Sequence, residues 1–415
     1  MGWTWAITAL FFALCLVRLT FPHQLFFDEV HYVPAADQLR DLSTPMNREH
    51  PLVGKELIAL GVALFGDRPL GWRIMSVLAG SVTIFAWMRA LWVACGSRFA
   101  TLAGGVLLST SFMLFVQSRI AMLDVFMAAF CALAYWQLAA AMQAESQGRA
   151  RKNLGMAGVA LGLALGSKWT VIPLVILPGI AFFVIRLEAA GTRFLTSRDT
   201  RPVIGVTLPE AALWLGALPL AVYFVTFLPM LFFTNEALTL SQIVPLQFEM
   251  LRLQESVVQH HPYQSVWYQW AANWRPIWYL YEMADGAQRG VLLIGNPFTM
   301  LIGLVGLMWC AFQGIFRKRR NALAVSLIYF VALGFWIVAA KPVQFYYHYL
   351  LCSMALMAAL ALWLDALWQA GRRIVPLGTL AGAIAMFAWF FPVLTAAPLA
   401  EERSFLDYAW IESWR

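Results

Sequence analysis

Long apolar runs separated by short polar turns organise the chain. They fall at about 3–20, 72–95, 100–117, 120–143, 154–166, 169–187, 209–233, 291–315, 321–340, 344–368 and 374–397. A helix needs about 20 apolar residues to cross a bilayer, so the pattern predicts about eleven transmembrane helices. The run at 154–166 is short for a full crossing. No basic segment precedes the first run and no small-residue cleavage motif follows it, which predicts a retained span rather than a signal peptide. Two longer polar stretches, 21–70 and about 234–290, interrupt the rhythm. Inside the first, residues 47–61 pass from a polar cluster into an amphipathic stretch too short and charged to cross, which predicts an interfacial helix. The expected architecture is an all-α polytopic membrane protein. It is one membrane domain over 1–415, with two longer outer loops and no separate soluble domain.

Composition agrees with that pattern. Of the 415 residues, 61% are hydrophobic and 12% are charged, too few polar groups to surface a soluble protein of this length. The net charge of +7 points to basic loops on one side of a membrane rather than to a nucleic-acid partner. Alternate loops carry Arg98; Arg149, Arg151 and Lys152; Arg193, Arg198 and Arg201; Arg317, Lys318, Arg319 and Arg320; and Arg372 and Arg373. These thirteen cations face only Glu145, Glu188 and Asp199, which makes that side cytoplasmic, with the N-terminus inside and the C-terminus outside. The other side carries most of the acids and, within it or at its edge, all six histidines: His23, His31, His50, His260, His261 and His348. Titratable chemistry is therefore expected on the outer face. The five cysteines lie in or beside apolar runs without a Cys-x-x-Cys pair, and read as small core residues.

Several outer-face clusters could carry chemistry. Asp28 and Glu29 follow directly on an apolar segment, where partial desolvation raises carboxylate basicity and suits a general base; an acidic helix cap is the alternative. His50 and Lys55 could face a polar head group or merely solvate the interfacial helix. Arg119 sits in a very short outer turn, and Asp124 follows five residues later inside an apolar run, where an acid needs a partner such as Arg119 or Arg73. Lys168 stands alone between two apolar segments, and Lys341 and His348 flank the outer end of another. Arg119, Lys168 and Lys341 are placed to meet a phosphate at the membrane surface, against the alternative of interfacial snorkelling. The second loop mixes rings and donors, among them His261, Tyr263, Trp267 and Arg275, in a pattern that stacks on sugars or prenyl groups or forms an aromatic belt. His260-His261 is a weak metal signal, because no third ligand has the right spacing. No Gly-rich phosphate loop or nucleophile elbow occurs, so ATP-driven transport has no local support.

Taken together, Asp28-Glu29-Val30-His31, His50-Pro51 with Gly54-Lys55, Ser118-Arg119 with Leu123-Asp124, Gly166-Ser167-Lys168-Trp169, His261-Pro262-Tyr263-Gln264-Ser265, Arg275-Pro276, Gly295-Asn296-Pro297 and Phe345-Tyr346-Tyr347-His348-Tyr349-Leu350 run through residues 28–350. In that order they resemble the protein O-mannosyltransferase family of C-type glycosyltransferases. The family usually reads His-Pro-Pro-Leu-Gly-Lys where this chain has Leu52-Val53 after Pro51. The large soluble insertion of the eukaryotic branch is absent from the second outer loop, which suits a bacterial inner-membrane protein.

The resemblance implies an eleven-span enzyme that takes a sugar from a polyprenyl-phosphate carrier on the outer membrane face. It implies Asp28 as catalytic base, Glu29 as its support, and Arg119 and Lys168 near the carrier phosphate. The expected reaction is an inverting transfer of mannose or another hexose to an acceptor hydroxyl on protein Ser or Thr. His50, Lys55, Asp124, His261, Tyr263, Trp267 and Arg275 are the candidate substrate-binding residues. Transfer to lipid A or another glycolipid is the alternative within the same chemistry, and a lipid-linked sugar transporter is the alternative of another class. The polyprenyl-phosphate sugar is a donor substrate; no other cofactor is named, and metal dependence stays open.

Overall fold

The computed structural model describes residues 2–256, 258–339 and 341–415. The chain opens with α1 (Gly2–Leu16). The first long loop then folds as α2 (Glu29–Arg40) and α3 (Val53–Phe65). The bundle continues with α4 (Pro69–Cys95), α5 (Arg98–Ser109), α6 (Phe112–Gln117), α7 (Leu123–Met142), α8 (Gln147–Ser167) and α9 (Ile172–Ala190). Next come α10 (Leu208–Ala212) and α11 (Leu218–Val225), joined through a π turn, and then α12 (Ile243–Glu255) and α13 (Trp267–Ala271). A hairpin of β1 (Ile277–Ala284) and β2 (Ala287–Leu293) precedes α14 (Pro297–Phe316), α15 (Arg320–Val338), α16 (Leu350–Gln369) and α17 (Ile374–Leu394).

Among the described residues, eight helical stretches are long and apolar enough to cross a membrane. The other three apolar runs are helical too, but differ in kind. Helix α1 has 15 residues, and the run at 100–117 breaks between α5 and α6 at Thr110 and Ser111. Helix α8 has 21 residues, with Arg149, Arg151 and Lys152 near its start. It packs tightly all the same: a Cβ added to Gly162 would meet the Pro219 carbonyl oxygen at 2.6 Å. Small residues of this kind let membrane helices approach backbone to backbone. Helix α16 runs through the centre, with every residue from Leu350 to Leu362 buried, and packs on α14, α15 and α5.

The two long loops hold more structure than the polar pattern suggests. The stretch expected as an interfacial helix forms α3, which buries Val53, Gly54, Ile58, Gly61 and Val62 against α2, α4 and α8. The hairpin was not legible as such. Its two-residue turn places Asp285 and Gly286 at φ 49° and 73°, the type I′ geometry that matches strand twist. The apolar run read as starting at 291 therefore divides: Val291–Leu293 finish β2. The Asn296 side chain then caps α14 by accepting from the Phe298 and Thr299 N–H groups.

Candidate active site

The site begins with a backbone reversal. Phe27 takes φ 52°, a left-handed conformation that costs a bulky residue about 1–3 kcal/mol and persists only where packing enforces it. Its ring lies stacked on Tyr279 at 3.9 Å. The two acids that follow face different surroundings.

Glu29 is fully buried and fully committed. Its carboxylate accepts from Arg73 Nε and Nη2, each at 2.8 Å. It also accepts the backbone N–H of Phe26 at 3.3 Å and of Ala121 at 3.0 Å. Arg73, equally buried, donates its remaining N–H groups to the carbonyls of Leu19, Pro22 and Gln24. This knot ties the first long loop to α4 and to the turn before α7.

Asp28 is half-buried. Its side chain does not cap α2, and among the described residues it makes no ion pair. Burial pushes its carboxyl above the ordinary range, the Lys168 charge opposes that, and Asp124 reinforces it. Lys168 Nζ bonds Asp124 Oδ2 at 2.6 Å in a buried pair and lies 4.8 Å from the centre of the Tyr347 ring. Tyr347 also meets Phe27 edge-on at 6.1 Å and His348 at 4.4 Å. Burial, and then the charge of Lys168, pull Lys341 down to about 8. Among the described residues Lys341 has no carboxylate within ion-pair distance, although Asp124 and Asp28 contribute to its field. His50, 5.8 Å from Tyr32, is held neutral by burial and by the Lys168 and Lys341 charges. The His50 Nδ1 and His348 Nε2 atoms are buried without a hydrogen-bond partner among the described residues. Asp28, His50, Asp124, Lys168, Lys341 and His348 are thus brought together by residues far apart in sequence.

The remaining sequence-predicted residues stand apart from that cluster. Lys55 does not solvate its helix: it is buried and donates to the carbonyls of Asn47 at 2.7 Å and His50 at 2.9 Å, bracing the turn that presents His50. Arg119 is not the partner of Asp124. It is buried, donates to the Cys15 carbonyl, and has Arg73 and Arg18 as its charged neighbours. Arg275 donates to the carbonyls of Pro262 and Ser413, so it staples the second loop to the chain end. His261 lies against Phe345 at 5.1 Å, and Tyr263 borders a cavity beside β1. Trp267 opens α13 at the edge of the same loop. The sequence reading weighed Arg73 only as a partner for Asp124, and it missed Tyr279. Neither has a local signal: Arg73 reads as a snorkelling cation, and Tyr279 as one aromatic among many.

A carboxylate with raised basicity, beside buried Lys168, half-buried Lys341 and two imidazoles with open nitrogens, can take a proton from a hydroxyl while an anion is held nearby.

Comparison with known proteins bears on this geometry. The family model described as dolichyl-phosphate-mannose-protein mannosyltransferase matches residues 49–199. The C-terminal four-helix region of protein O-mannosyltransferase matches residues 239–414. The chain is 28% identical to the polyprenol-phosphate-mannose–protein mannosyltransferase of Mycolicibacterium smegmatis, covering 99% of this chain and 93% of that protein. It is also 28% identical to the Corynebacterium glutamicum protein of the same name, covering 100% and 93%. The fold matches the Saccharomyces cerevisiae Pmt1-Pmt2 complex bound to the sugar donor with a TM-score of 0.80, at 14% identity, covering 99% of this chain and 92% of that one. It matches ArnT from Cupriavidus metallidurans bound to undecaprenyl phosphate with a TM-score of 0.61, at 16% identity, covering 99% and 68%.

Proposed function

We propose a reaction on one premise: this chain belongs to the protein O-mannosyltransferase family, whose two models match its N-terminal and C-terminal parts. It is a membrane glycosyltransferase that moves mannose from a polyprenyl-phosphate carrier to a protein hydroxyl, as its relatives are named to do. The acceptor oxygen attacks the anomeric carbon from the face opposite the phosphate. The new C–O bond forms as the bond to the phosphate oxygen breaks, and the electron pair leaves with the polyprenyl phosphate. The acceptor proton goes to Asp28, with inversion at the anomeric carbon.

In this reading Lys341 and Lys168 stabilise the charge that grows on the leaving phosphate. The open nitrogens of His50 and His348 are available to its oxygens. Asp124 fixes Lys168, Lys55 fixes the His50 turn, and Glu29 with Arg73 fixes the backbone that presents Asp28. His261, Tyr263, Trp267 and Arg275 shape the second outer loop over the site. Arg119 supports the turn before α7. The single observation that carries the reading is Asp28: a carboxylate without a partner, facing a cluster of cations, beside an acid that is completely tied down.

The eleven-span topology completes the proposal, with α1, α5–α6 and α8 as the crossings beyond the eight most apolar ones. The arginine-rich turns at Arg149 and Arg317 then face the cytoplasm of a bacterial inner membrane, and the site faces outward. Cysteine labelling in intact cells tests this: position 261 is expected to react from outside and position 318 to be protected. Purified protein incubated with radiolabelled polyprenyl-phosphate mannose tests the reaction, with a Ser/Thr peptide and a glycolipid as rival acceptors. Label on the peptide is expected; label on the glycolipid alone overturns the protein acceptor.

A further inference from the structure

The hairpin β1–β2 has one covered edge and one open edge. On the covered side the Leu399 N–H donates to the Gln288 carbonyl at 2.8 Å, so the main-chain groups of Gln288 point away from β1. The two-residue turn closes on Ala284 and Ala287, and Met283 pairs with Gln288. In such a hairpin the closing pair exchanges hydrogen bonds and the next pair does not. The N–H and C=O of Met283, and those of Tyr281 two residues before it, therefore point out of the other edge of β1. Among the described residues β1 pairs with β2 alone.

At Tyr281 that edge borders an open cavity of about 390 Å³, and Met283 lies just beyond its end. Five consecutive residues, Trp278 to Glu282, line it. A bulge between Trp278 and Leu280 breaks alternation at Tyr279. Beyond it Leu280, Tyr281 and Glu282 still line the cavity consecutively, where a strand facing it with one side would contribute alternate residues, so there the cavity follows the backbone. The opposite wall is Leu25, Phe26, Phe27 and Val30 of the first outer loop. Phe27 is at once the wall of this cavity, the stacking partner of Tyr279 and the residue before Asp28. Burial, and then the nearby carboxylates of Asp124 and Asp28, keep the Tyr279 phenol protonated. The cavity thus runs from the unpaired strand edge at Tyr281 to Phe27, the residue before the proposed base.

We infer that the acceptor polypeptide binds here as an added strand, an extended segment pairing with the open edge of β1 and carrying its Ser or Thr hydroxyl past Phe27 to Asp28. The inference rests on the protein-acceptor reading above and supplies its mode of recognition. Main-chain pairing reads no particular side chain, so it accepts many sequences. Alternate acceptor residues turn into the aromatic cavity, where the one charged lining residue is Glu282, so acidic residues at those positions are disfavoured.

The test uses full-length protein in nanodiscs and a Ser-containing peptide, with copies carrying a single N-methyl group at each successive position. Binding is read by fluorescence anisotropy and mannose transfer separately. N-methylation at alternate positions is expected to weaken binding about threefold to tenfold, the loss of one main-chain hydrogen bond. The intervening positions tolerate it. Met283→Pro removes an outward N–H and leaves the β1–β2 bonds in place; it is expected to weaken peptide binding by a similar factor, with donor KM unchanged. If that variant does not fold, the N-methyl series on the native chain decides. An N-methyl series with no alternation overturns the strand-addition mode, and transfer that continues in that case leaves the reaction standing. Alternation in binding without any mannose transfer does the reverse: it keeps the site and sinks the reaction.

Discussion

Two ion-pair centres flank the start of α2 and behave in opposite ways. In the Glu29–Arg73 knot every charged atom has a partner and both side chains are fully buried. In the pocket a few residues away, Lys168 and Asp124 pair, yet Asp28, Lys341 and two buried imidazole nitrogens stay uncommitted. Buried polar atoms are normally satisfied, because leaving them bare costs free energy. A region that keeps several bare is shaped for something that supplies the missing partners. The left-handed Phe27 separates the two neighbouring acids: Glu29 is part of the scaffold, and in the proposed reading Asp28 is left to the substrate.

The strongest way to break that contrast is to neutralise each acid in turn. Asp28→Asn is expected to slow transfer about 10²- to 10⁴-fold, the loss of a general base. Its melting temperature should hold or rise, since burial already disfavours the charged carboxylate. Glu29→Gln is expected to do the opposite. It leaves Arg73 buried without a counter-charge and destabilises by about 3–5 kcal/mol, while the rate per folded molecule changes far less. Circular dichroism melts beside transfer assays decide; a severe rate loss confined to a well-folded Glu29→Gln protein would reassign the base to Glu29.

Next come the cations. Lys341→Met is expected to slow transfer on the order of 10²-fold with little loss of stability, since this lysine has no carboxylate partner to abandon. Lys168→Met is expected to slow transfer and to lower the melting temperature as well, because it strands the buried Asp124. Acceptor affinity should change little in either. Steady-state donor kinetics on both, with melts alongside, sharpen the division between the free cation and the paired one. The smallest effect on donor kinetics is expected from Arg119→Met, whose guanidinium serves the Cys15 carbonyl. A large donor defect in a stable Arg119→Met protein would extend the phosphate site to that turn.

Much of this was legible in the chain, and the missing parts share a cause. Continuous apolar runs gave the eight stretches long and apolar enough to cross a membrane, because a bilayer demands such runs. Charge asymmetry gave the expectation of one titratable face, and Asp28, Lys168, Lys341 and His348 do stand close together. Which charge pairs with which could not be read, since Arg73 is 44 residues from Glu29 and Lys168 is 44 from Asp124. Spacing along one helix says nothing about partners on another. The hairpin escaped because the apolar end of β2, Val291–Leu293, merges with the next apolar run across the brief Gly295-Asn296-Pro297 interruption, and its turn signal, Asp285-Gly286, is a single dipeptide.

The pH dependence of the single-turnover rate tests the role of Asp28 most directly. The base acts as carboxylate, and burial raises its pKa, so the rate should climb with pH through an apparent pKa above the ordinary carboxylate range. It should fall again as Lys341 loses its proton near pH 8. In Asp28→Asn the acid limb is expected to vanish while the alkaline limb stays, and in the folded fraction of Glu29→Gln both limbs should remain. An acid limb that persists unchanged in Asp28→Asn contradicts the assignment of the base.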